Sequence, residues 1–257
     1  MRVAVLLKAV PDLVEELVLD EESGSLQYDE MSYVPSEWDD QALEEALILK
    51  EESGAQVTAI AVSTGDVDTM LFTALAKGAD HVVKITGDFD ASMSNWQQAR
   101  VLSDYVREQD FDMVLSGVQA IDDVDGQIPG LVAGFLNWPH ASVVTEVRMG
   151  GNSKILLRQE YSGGLVAEIE VESPVVIGVQ AARKPPRYAS VAKVRQVAKS
   201  VAIEEVSAGA PAGPAFADIQ FVRPVAAGRA EMIEGDVDAV ADRIVQILAD
   251  HNLLRRA

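Results

Sequence analysis

Short apolar runs alternate along the chain with segments in which apolar residues recur every three or four positions. A continuous apolar run is typical of a strand covered on both faces of a sheet, and the longer spacing is typical of a helix that buries one side. The apolar runs are Val3–Leu7, Val57–Ser63, His81–Ile85, Asp112–Gly117 and Pro174–Gln180. Strands that alternate with helices predict an α/β fold with a wound, mostly parallel, Rossmann-like sheet.

Helices are predicted between these strands. The first opens at Ser36, which precedes Asp39 by three residues as in a capping box, and Gly54 lies near its end. The predicted inward side of this helix consists of Ala42, Leu43, Ala46, Leu47 and Leu49. Further helices cover Leu71–Lys77, Asn95–Gln109 and the stretch that ends near Leu136.

The pattern changes after Ser142. Alternating apolar and polar residues surround Gly150–Gly151 and Gly163–Gly164, which predicts an antiparallel hairpin insertion with glycine turns. Ala208–Pro214 has the composition of a linker, and a helix with one apolar stripe follows it. The stripe consists of Val237, Val240, Ala241, Ile244, Val245 and Leu248. We therefore predict a nucleotide-binding α/β domain at 1–200, and at 201–257 an extended C-terminal arm whose helix packs on a partner.

The charge and composition exclude several classes of function. The chain has 41 acidic and 21 basic residues, a net charge of −20, so we expect no binding to nucleic acid. It has no cysteine, and its three histidines show no ligand spacing, so we predict no metal site. The N-terminal apolar run is too short to span a bilayer and lacks a cleavage site for a signal peptide. We expect no membrane insertion and a cytoplasmic location.

The turns after the predicted strands are the places to look for a ligand, because open α/β sheets bind ligands at the carboxyl ends of their strands. These turns are Lys8–Asp12, Ser63–Asp66 and Gly117–Gly130. The last one is acidic, contains no lysine and has neither standard glycine-rich phosphate motif. Backbone N–H groups at a helix N-terminus can still hold a phosphate. A nucleotide site and a capped acidic loop without a ligand both remain open.

A basic tract interrupts the acidic chain. No Asp or Glu occurs from Ser173 to Ile203, while Lys and Arg are frequent there. This pattern fits either a solvated basic helix or a docking surface for an acidic partner, on which Tyr188 and Val191 are candidate anchors. No catalytic motif for a serine, cysteine or metal-dependent hydrolase is present, which favours a binding or carrier protein over an enzyme.

Motifs along nearly the whole chain resemble those of the small (beta) subunit of the electron transfer flavoproteins. They are K-x-V-P-D at Lys8–Asp12, L-E-E-A-L at Leu43–Leu47, T-A-L-A-K-G-A-D at Thr73–Asp80, G-V-Q-A-I-D-D at Gly117–Asp123, N-W-P-H at Asn137–His140 and P-R-Y-A-S at Pro186–Ser190. Singly these motifs are weak, but their order and spacing are specific. Ser36–Asp40, Asn137–His140 and Gly228–Gly235 look most like the form that serves trimethylamine dehydrogenase in methylotrophic bacteria.

This resemblance implies a heterodimer in which the large (alpha) subunit holds most of the FAD and the small subunit binds a structural AMP. It implies an electron carrier, not an enzyme, which takes electrons from a flavin dehydrogenase of the amine or acyl-CoA type and passes them to a membrane quinone oxidoreductase. The AMP-contacting positions of the family correspond here to Leu6, Ser36, Glu37, Trp38, Asp39, Thr64, Gly117, Val118, Gln119, Ala120, Ile121, Asp122, Asp123, Val124, Asp125, Gly126, Gln127 and Ile128.

The resemblance also implies roles outside the AMP site. Leu13 is expected near the flavin of the partner subunit. The family's partner-recognition loop follows P-R-Y-A-S, so Tyr188, Val191, Lys193 and Arg195 are expected to dock the dehydrogenase. The loop's anchor is normally a leucine, and Val191 stands in its place.

Two alternatives remain. Electron-bifurcating members of the family hold a second FAD in place of AMP, although they usually have Gly where this chain has Asp123. The family's usual Asn-Gln-Thr is replaced here by Gly126-Gln127-Ile128, so a phosphate would depend more on backbone donors. The other alternative is a stand-alone adenine-nucleotide-binding protein on the same sheet.

Overall fold

The computed structural model of the chain describes residues 1–20, 24–28, 31–89, 93–123, 125–151, 154–209, 221–223, 230 and 232–254. These residues divide into two units, Met1–Gln220 and Phe221–Ala257. The strands of the first unit are β1 (Arg2–Leu6), β2 (Ala9–Pro11), β3 (Tyr33–Pro35), β4 (Gln56–Val62), β5 (His81–Thr86), β6 (Met113–Gly117), β7 (His140–Met149), β8 (Lys154–Tyr161), β9 (Leu165–Glu172), β10 (Val175–Val179) and β11 (Glu204–Ser207). Its helices are α1 (Glu37–Ser53), α2 (Asp68–Lys77), α3 (Asn95–Arg107), α4 (Gln127–Leu136) and α5 (Val191–Ser200).

Nine strands form one sheet in the order β11-β5-β4-β1-β6-β10-β7-β8-β9. The strands from β11 to β7 are parallel, and β7, β8 and β9 pair antiparallel. The chain builds outward from β1 through β4 to β5, and then continues on the other side of β1 with β6. The predicted wound, mostly parallel α/β sheet with an antiparallel hairpin insertion is therefore confirmed, and its direction of winding switches between β1 and β6.

Apolar residues pack on both faces of this sheet, which explains the continuous apolar runs of the parallel strands. On one face, Val3, Val5 and Val57 pack with the apolar side of α1. On the other face, Ala4 and Ile60 pack with α3 and α4. Successive residues of one strand thus belong to different cores, as the alternation of side chains across a sheet requires.

Helix α1 begins where the sequence predicts, but its cap differs from the prediction. Ser36 occupies the N-cap position, yet its side chain makes no capping hydrogen bond, and its Oγ is buried without a partner among the described atoms. The predicted capping box at Ser36 and Asp39 is therefore wrong, because the Asp39 carboxylate is used elsewhere. The C-terminal end follows the expectation, since Gly54 adopts the left-handed conformation with φ 72°.

Three short strands were not predicted from the sequence. Strands β2 and β3 pair with each other in a small antiparallel sheet. Strand β11 pairs with β5 at the edge of the large sheet, although its residues were expected in the C-terminal arm. Strands β2 and β3 have three residues each, too few to show a periodic pattern, and β11 is Glu-Glu-Val-Ser, which contains no apolar run.

The second unit contains the predicted terminal helix, α6 (Val237–Asp250). The Asp236 side chain caps it by accepting a hydrogen bond from the N–H of Ala239 at 2.9 Å. Most of the predicted linker Ala208–Pro214 lies outside the described residues. Packing of the arm on a partner stays a prediction.

Candidate functional site

A cleft opens at the carboxyl ends of β1, β4 and β6, where the winding of the sheet changes direction. This is the position at which open α/β sheets bind ligands. The cleft is lined by eight of the residues that were expected to contact AMP. They are Leu6, Asp39, Thr64, Gly117, Gln119, Ala120, Asp123 and Ile128. The tertiary structure thus brings together turns that are far apart in the sequence.

The other predicted cofactor residues flank this cleft along the chain. Ser36, Glu37 and Trp38 lie at the start of α1, beside Asp39. A second group belongs to the turn between β6 and α4 and to the first residue of α4. That group consists of Val118, Ile121, Asp122, Asp125, Gly126 and Gln127. Val124 lies outside the described residues, and the binding roles of all these positions stay predictions.

The carboxylate of Asp39 holds two edges of the cleft together. Its Oδ2 accepts a hydrogen bond from the backbone N–H of Lys8 at 2.8 Å, and its Oδ1 accepts one from the N–H of Gly117 at 2.7 Å. These donors lie at the ends of the two neighbouring strands β1 and β6. Burial raises the pKa of Asp39 to about 7, even though the hydrogen bonds from Gly117 and Lys8 favour the charged form. Asp39 is therefore a structural clamp whose protonation changes near neutral pH.

Gly117 permits this close approach of β6 to the first turn of α1. A Cβ on residue 117 would lie 2.6 Å from the Cβ of Trp38 and 2.8 Å from the backbone N of Asp39. Neither contact is relieved by a side-chain rotation, because both atoms are fixed to the main chain of α1. Glycine is needed here for space.

The acidic turn is a folded structure rather than an open loop. Ala120 and Asp123 exchange backbone hydrogen bonds, and Asp123 Oδ2 accepts the N–H of Gln127 at 3.1 Å. Asp123 therefore caps the start of α4. Gly126 has φ 67°, and a Cβ there would lie 2.4 Å from the carbonyl oxygen of Val118, so this backbone requires glycine at position 126. The turn is capped, and it also forms one wall of the cleft, so the choice between a nucleotide site and a loop without a ligand stays open.

Sequence reasoning missed Lys8 and helix α3 as parts of the site. The Lys8 ammonium lies 2.8 Å from Asp122 Oδ2 and donates to Asn95 Oδ1 at 3.1 Å. Gln98, also on α3, lines the cleft. The sequence predicts α3 itself, at Asn95–Gln109, and Ser94 and Gln97 form a capping box at its start. It does not predict that this helix lies beside the cleft. The pairing of Lys8 with Asp122 joins distant segments of the chain and has no local signal.

The basic tract separates into a buried part and an exposed part. Arg183 Nε donates to Glu45 at 2.8 Å, and Arg187 pairs with Glu44 at 2.9 Å. Both glutamates are buried in α1, so the charges of these two arginines are paired within the chain. Burial raises the pKa of Glu45, while hydrogen bonds from the backbone N–H groups of Arg183 and Val147 oppose this effect.

The predicted docking residues lie just beyond these ion pairs. Tyr188 is 84% exposed and Val191 is 60% exposed. Lys193 and Arg195 lie on α5, whose N-terminus is capped by the Ser190 side chain. The exposure of the two anchors is compatible with docking, whose partner and contacts stay predictions. Leu13, the residue expected near the partner's flavin, is 55% exposed in the turn after β2.

The described part of the chain shows neither a cluster of metal-ligating side chains nor a helix suited to a membrane. No cluster of three or more histidine or acidic side chains there is arranged to hold a metal ion. In the same residues, every helix is too short or too polar to span a bilayer.

Comparison with known proteins shows similarity along almost the whole chain. The family model for the electron transfer flavoprotein domain matches residues 25–211. The chain is 35% identical to the electron transfer flavoprotein subunit beta of Methylophilus methylotrophus over 96% of this chain and 98% of that protein. It is 29% identical to the electron transfer flavoprotein subunit beta of Bacillus subtilis over 96% of this chain and 97% of that protein. It is 30% identical to the subunit beta of Bos taurus over 81% of this chain and 82% of that protein.

Replacing Gly117 by alanine should separate β6 from α1 and break the Asp39 clamp. We expect Gly117→Ala to lower the free energy of unfolding by about 1–3 kcal/mol, the usual cost of overpacking a rigid site. Gly134→Ala is the matched control, because Gly134 sits in helix α4 and a Cβ added there would meet no atom within 4 Å. The control should be neutral or slightly stabilising. Urea unfolding measures both, and equal effects of the two substitutions would contradict the steric role of Gly117.

Because the pKa of Asp39 is raised, we expect the free energy of unfolding to decrease as the pH rises. The folded chain binds the Asp39 proton more tightly than the unfolded chain, whose pKa is near 3.8. This contribution is complete below about pH 4 and is lost as pH rises to about 7, with a total of about 4 kcal/mol. We expect Asp39→Asn to be less stable than the parent at pH 5, because an amide N–H2 would face a backbone donor. The difference in the free energy of unfolding between parent and variant should be smaller at pH 8, where the parent has lost the contribution of the Asp39 proton.

Urea unfolding of the parent and of Asp39→Asn at pH 5 and pH 8 measures this difference in the free energy of unfolding. Gly134→Ala again serves as the control, because it adds no titratable group and its effect on the free energy of unfolding should be the same at both pH values. A parent and an Asp39→Asn variant with parallel pH profiles would show that Asp39 does not titrate in this range.

Proposed function

Because this chain belongs to the electron transfer flavoprotein family, among its beta subunits, we propose that it is the small subunit of a heterodimer that carries electrons between a flavin dehydrogenase and a quinone oxidoreductase. In this role the alpha subunit holds the FAD, and the present chain binds AMP and docks the electron donor, which is a dehydrogenase of the amine or acyl-CoA type. The chain itself performs no substrate chemistry. The cytoplasmic location expected from the sequence is part of this proposal.

The cleft at the switch point of the sheet is the observation that carries the proposal of a bound adenine nucleotide. Its walls combine apolar side chains such as Leu6 and Ile128 with the polar groups of Thr64 and Gln98. This mixture of apolar surface and a few directed polar groups is typical of small-molecule sites. The unpartnered Oγ of Ser36 lies close to the backbone of Lys8, since the N–H of Ser36 donates to the Lys8 carbonyl at 2.9 Å.

The docking proposal is supported by the way the exposed residues are held. Arg183 and Arg187 tie the segment before α5 to glutamates of α1, and Tyr188 follows directly. An exposed aromatic residue on a rigid support loses little conformational entropy when it binds. The same basic tract carries Lys184, Lys193, Arg195 and Lys199, whose charges can steer an acidic partner. A transient carrier needs this combination of rapid encounter and a small anchor.

The nucleotide content of the heterodimer tests the cofactor proposal. The chain is co-expressed with its alpha subunit, and the nucleotides released by heat are counted by chromatography and mass spectrometry. We expect one FAD and one AMP per heterodimer. Two FAD and no AMP would identify the cleft as the site of a second flavin in a bifurcating complex. A stable monomer that turns over ATP would instead identify a stand-alone nucleotide-binding protein.

Replacing Val191 by alanine tests the docking proposal. Removal of an aliphatic anchor should cost about 1–3 kcal/mol of docking free energy, which raises the KM of the donor dehydrogenase for the heterodimer about 5- to 150-fold. Reduction of the same variant by dithionite should be unchanged. Val201→Ala is the matched control, since Val201 is also exposed but lies at the other end of α5, about 15 Å along the helix axis. An unchanged KM for Val191→Ala would refute the anchor role.

A further inference from the structure

The charges around the cleft raise the question of how it could bind a phosphate. Asp39 and Asp123 line the cleft, and Asp122 lies beside them. Lys8 is the one basic residue among the described residues that line it. An AMP phosphate carries up to two negative charges near neutral pH, so carboxylates without a compensating cation would repel it.

The N-terminus of α4, the obvious backbone site for a phosphate, is largely occupied by the protein itself. The N–H of Gln127, the first residue of α4, already donates to Asp123 Oδ2 at 3.1 Å. Pro129, the third residue, has no N–H group. Among the first three residues of the helix, only Ile128 keeps an N–H that the described side chains do not bind. The helix terminus alone therefore offers a phosphate few donors.

Lys8 is held in a position from which its side chain reaches across the cleft. Its backbone N–H donates to Asp39 at 2.8 Å, and its carbonyl accepts from Ser36 at 2.9 Å. The side chain is 13% exposed, and its ammonium is shared between Asp122 at 2.8 Å and Asn95 at 3.1 Å. An ammonium has three N–H donors, so a third hydrogen bond remains open in this arrangement. Asp122 is 35% exposed, and water can solvate its carboxylate if the pair separates.

We propose that Lys8 is the phosphate-binding side chain of the cleft. In the absence of nucleotide its ammonium pairs with Asp122, and the phosphate of the bound nucleotide replaces Asp122 as its partner. This inference rests on the proposed function, because it assigns a residue to the same nucleotide site. Lys8 compensates the carboxylates around the cleft and replaces the backbone donors that Asp123 and Pro129 remove. Asp122 keeps the half-buried ammonium paired when no nucleotide is bound and competes with the phosphate for it.

Binding of AMP and of adenosine separates a phosphate contact from a structural role of Lys8. The heterodimer is freed of nucleotide by refolding in its absence and is titrated with each ligand by calorimetry. We expect Lys8→Met to weaken AMP binding at least about tenfold, the usual effect of losing a charged hydrogen bond, and to leave adenosine binding within about threefold. Lys84→Met is the matched control, since Lys84 is 15% exposed, pairs with Asp68 and Glu205, and lies outside the cleft. The control should bind both ligands as the parent does.

A double-mutant cycle tests the exchange between Asp122 and the phosphate. If Asp122 competes for the ammonium, Asp122→Asn should strengthen AMP binding in the parent, and this gain should shrink in the Lys8→Met background. An equal gain in both backgrounds would mean that Asp122 acts by repulsion alone, which would overturn its role as counter-ion.

The outcomes distinguish this inference from the proposed function. A parent heterodimer that binds neither AMP nor adenosine would refute the nucleotide site itself, and the role of Lys8 with it. A parent that binds AMP, together with a Lys8→Met variant that binds it equally well, would overturn the role of Lys8 and leave the site intact. Equal losses of AMP and adenosine would show that Lys8 only maintains the structure, and would also overturn the proposal.

Discussion

The burial of helix α1 is the constraint on which the rest of this structure depends. Every residue from Ala42 to Leu49 is buried, including two glutamates. A buried carboxylate is costly unless it is paired and hydrogen-bonded, so the fold must supply partners to a helix that the sheet covers on one side only. Arg183 and Arg187 supply them by laying the segment before α5 over the other side of α1. The ion pairs thus explain why this segment has a fixed place without regular secondary structure.

The same helix also orders the cleft at the carboxyl ends of the strands, through its N-terminal end. Asp39, in the first turn, accepts backbone N–H groups from the ends of β1 and β6, where the chain reverses its direction of winding. Two surfaces therefore depend on one helix. The cleft lies at the N-terminus of α1, and the segment that precedes the exposed Tyr188 is paired with the middle of α1. Both surfaces thus take their positions from contacts with the same helix.

The acidic turn has a physical explanation once its surroundings are known. Asp123 caps α4, and Asp122 pairs with the ammonium of Lys8, so two of its carboxylates are used within the protein. The lysine missing from the turn is supplied by the end of β1. Electrostatic balance in the cleft is a property of three chain segments together, and the composition of any one of them is misleading.

The sequence by itself determined the architecture. Continuous apolar runs revealed the parallel strands, the 3.6-residue period revealed helices α1 to α4, and period-two alternation revealed the hairpin, because burial follows a regular pattern along each element. Strand-end turns such as Gly117–Gly130 pointed to the edge of the sheet that carries the cleft. Only the tertiary structure decided the partners of the charged groups, since Glu44 with Arg187, Asp39 with Gly117 and Lys8 with Asp122 join distant segments. An Asp or Glu is the same letter in the sequence whether its carboxylate contacts water, an arginine or a backbone N–H. Only the packing of distant segments determines which of these partners it has.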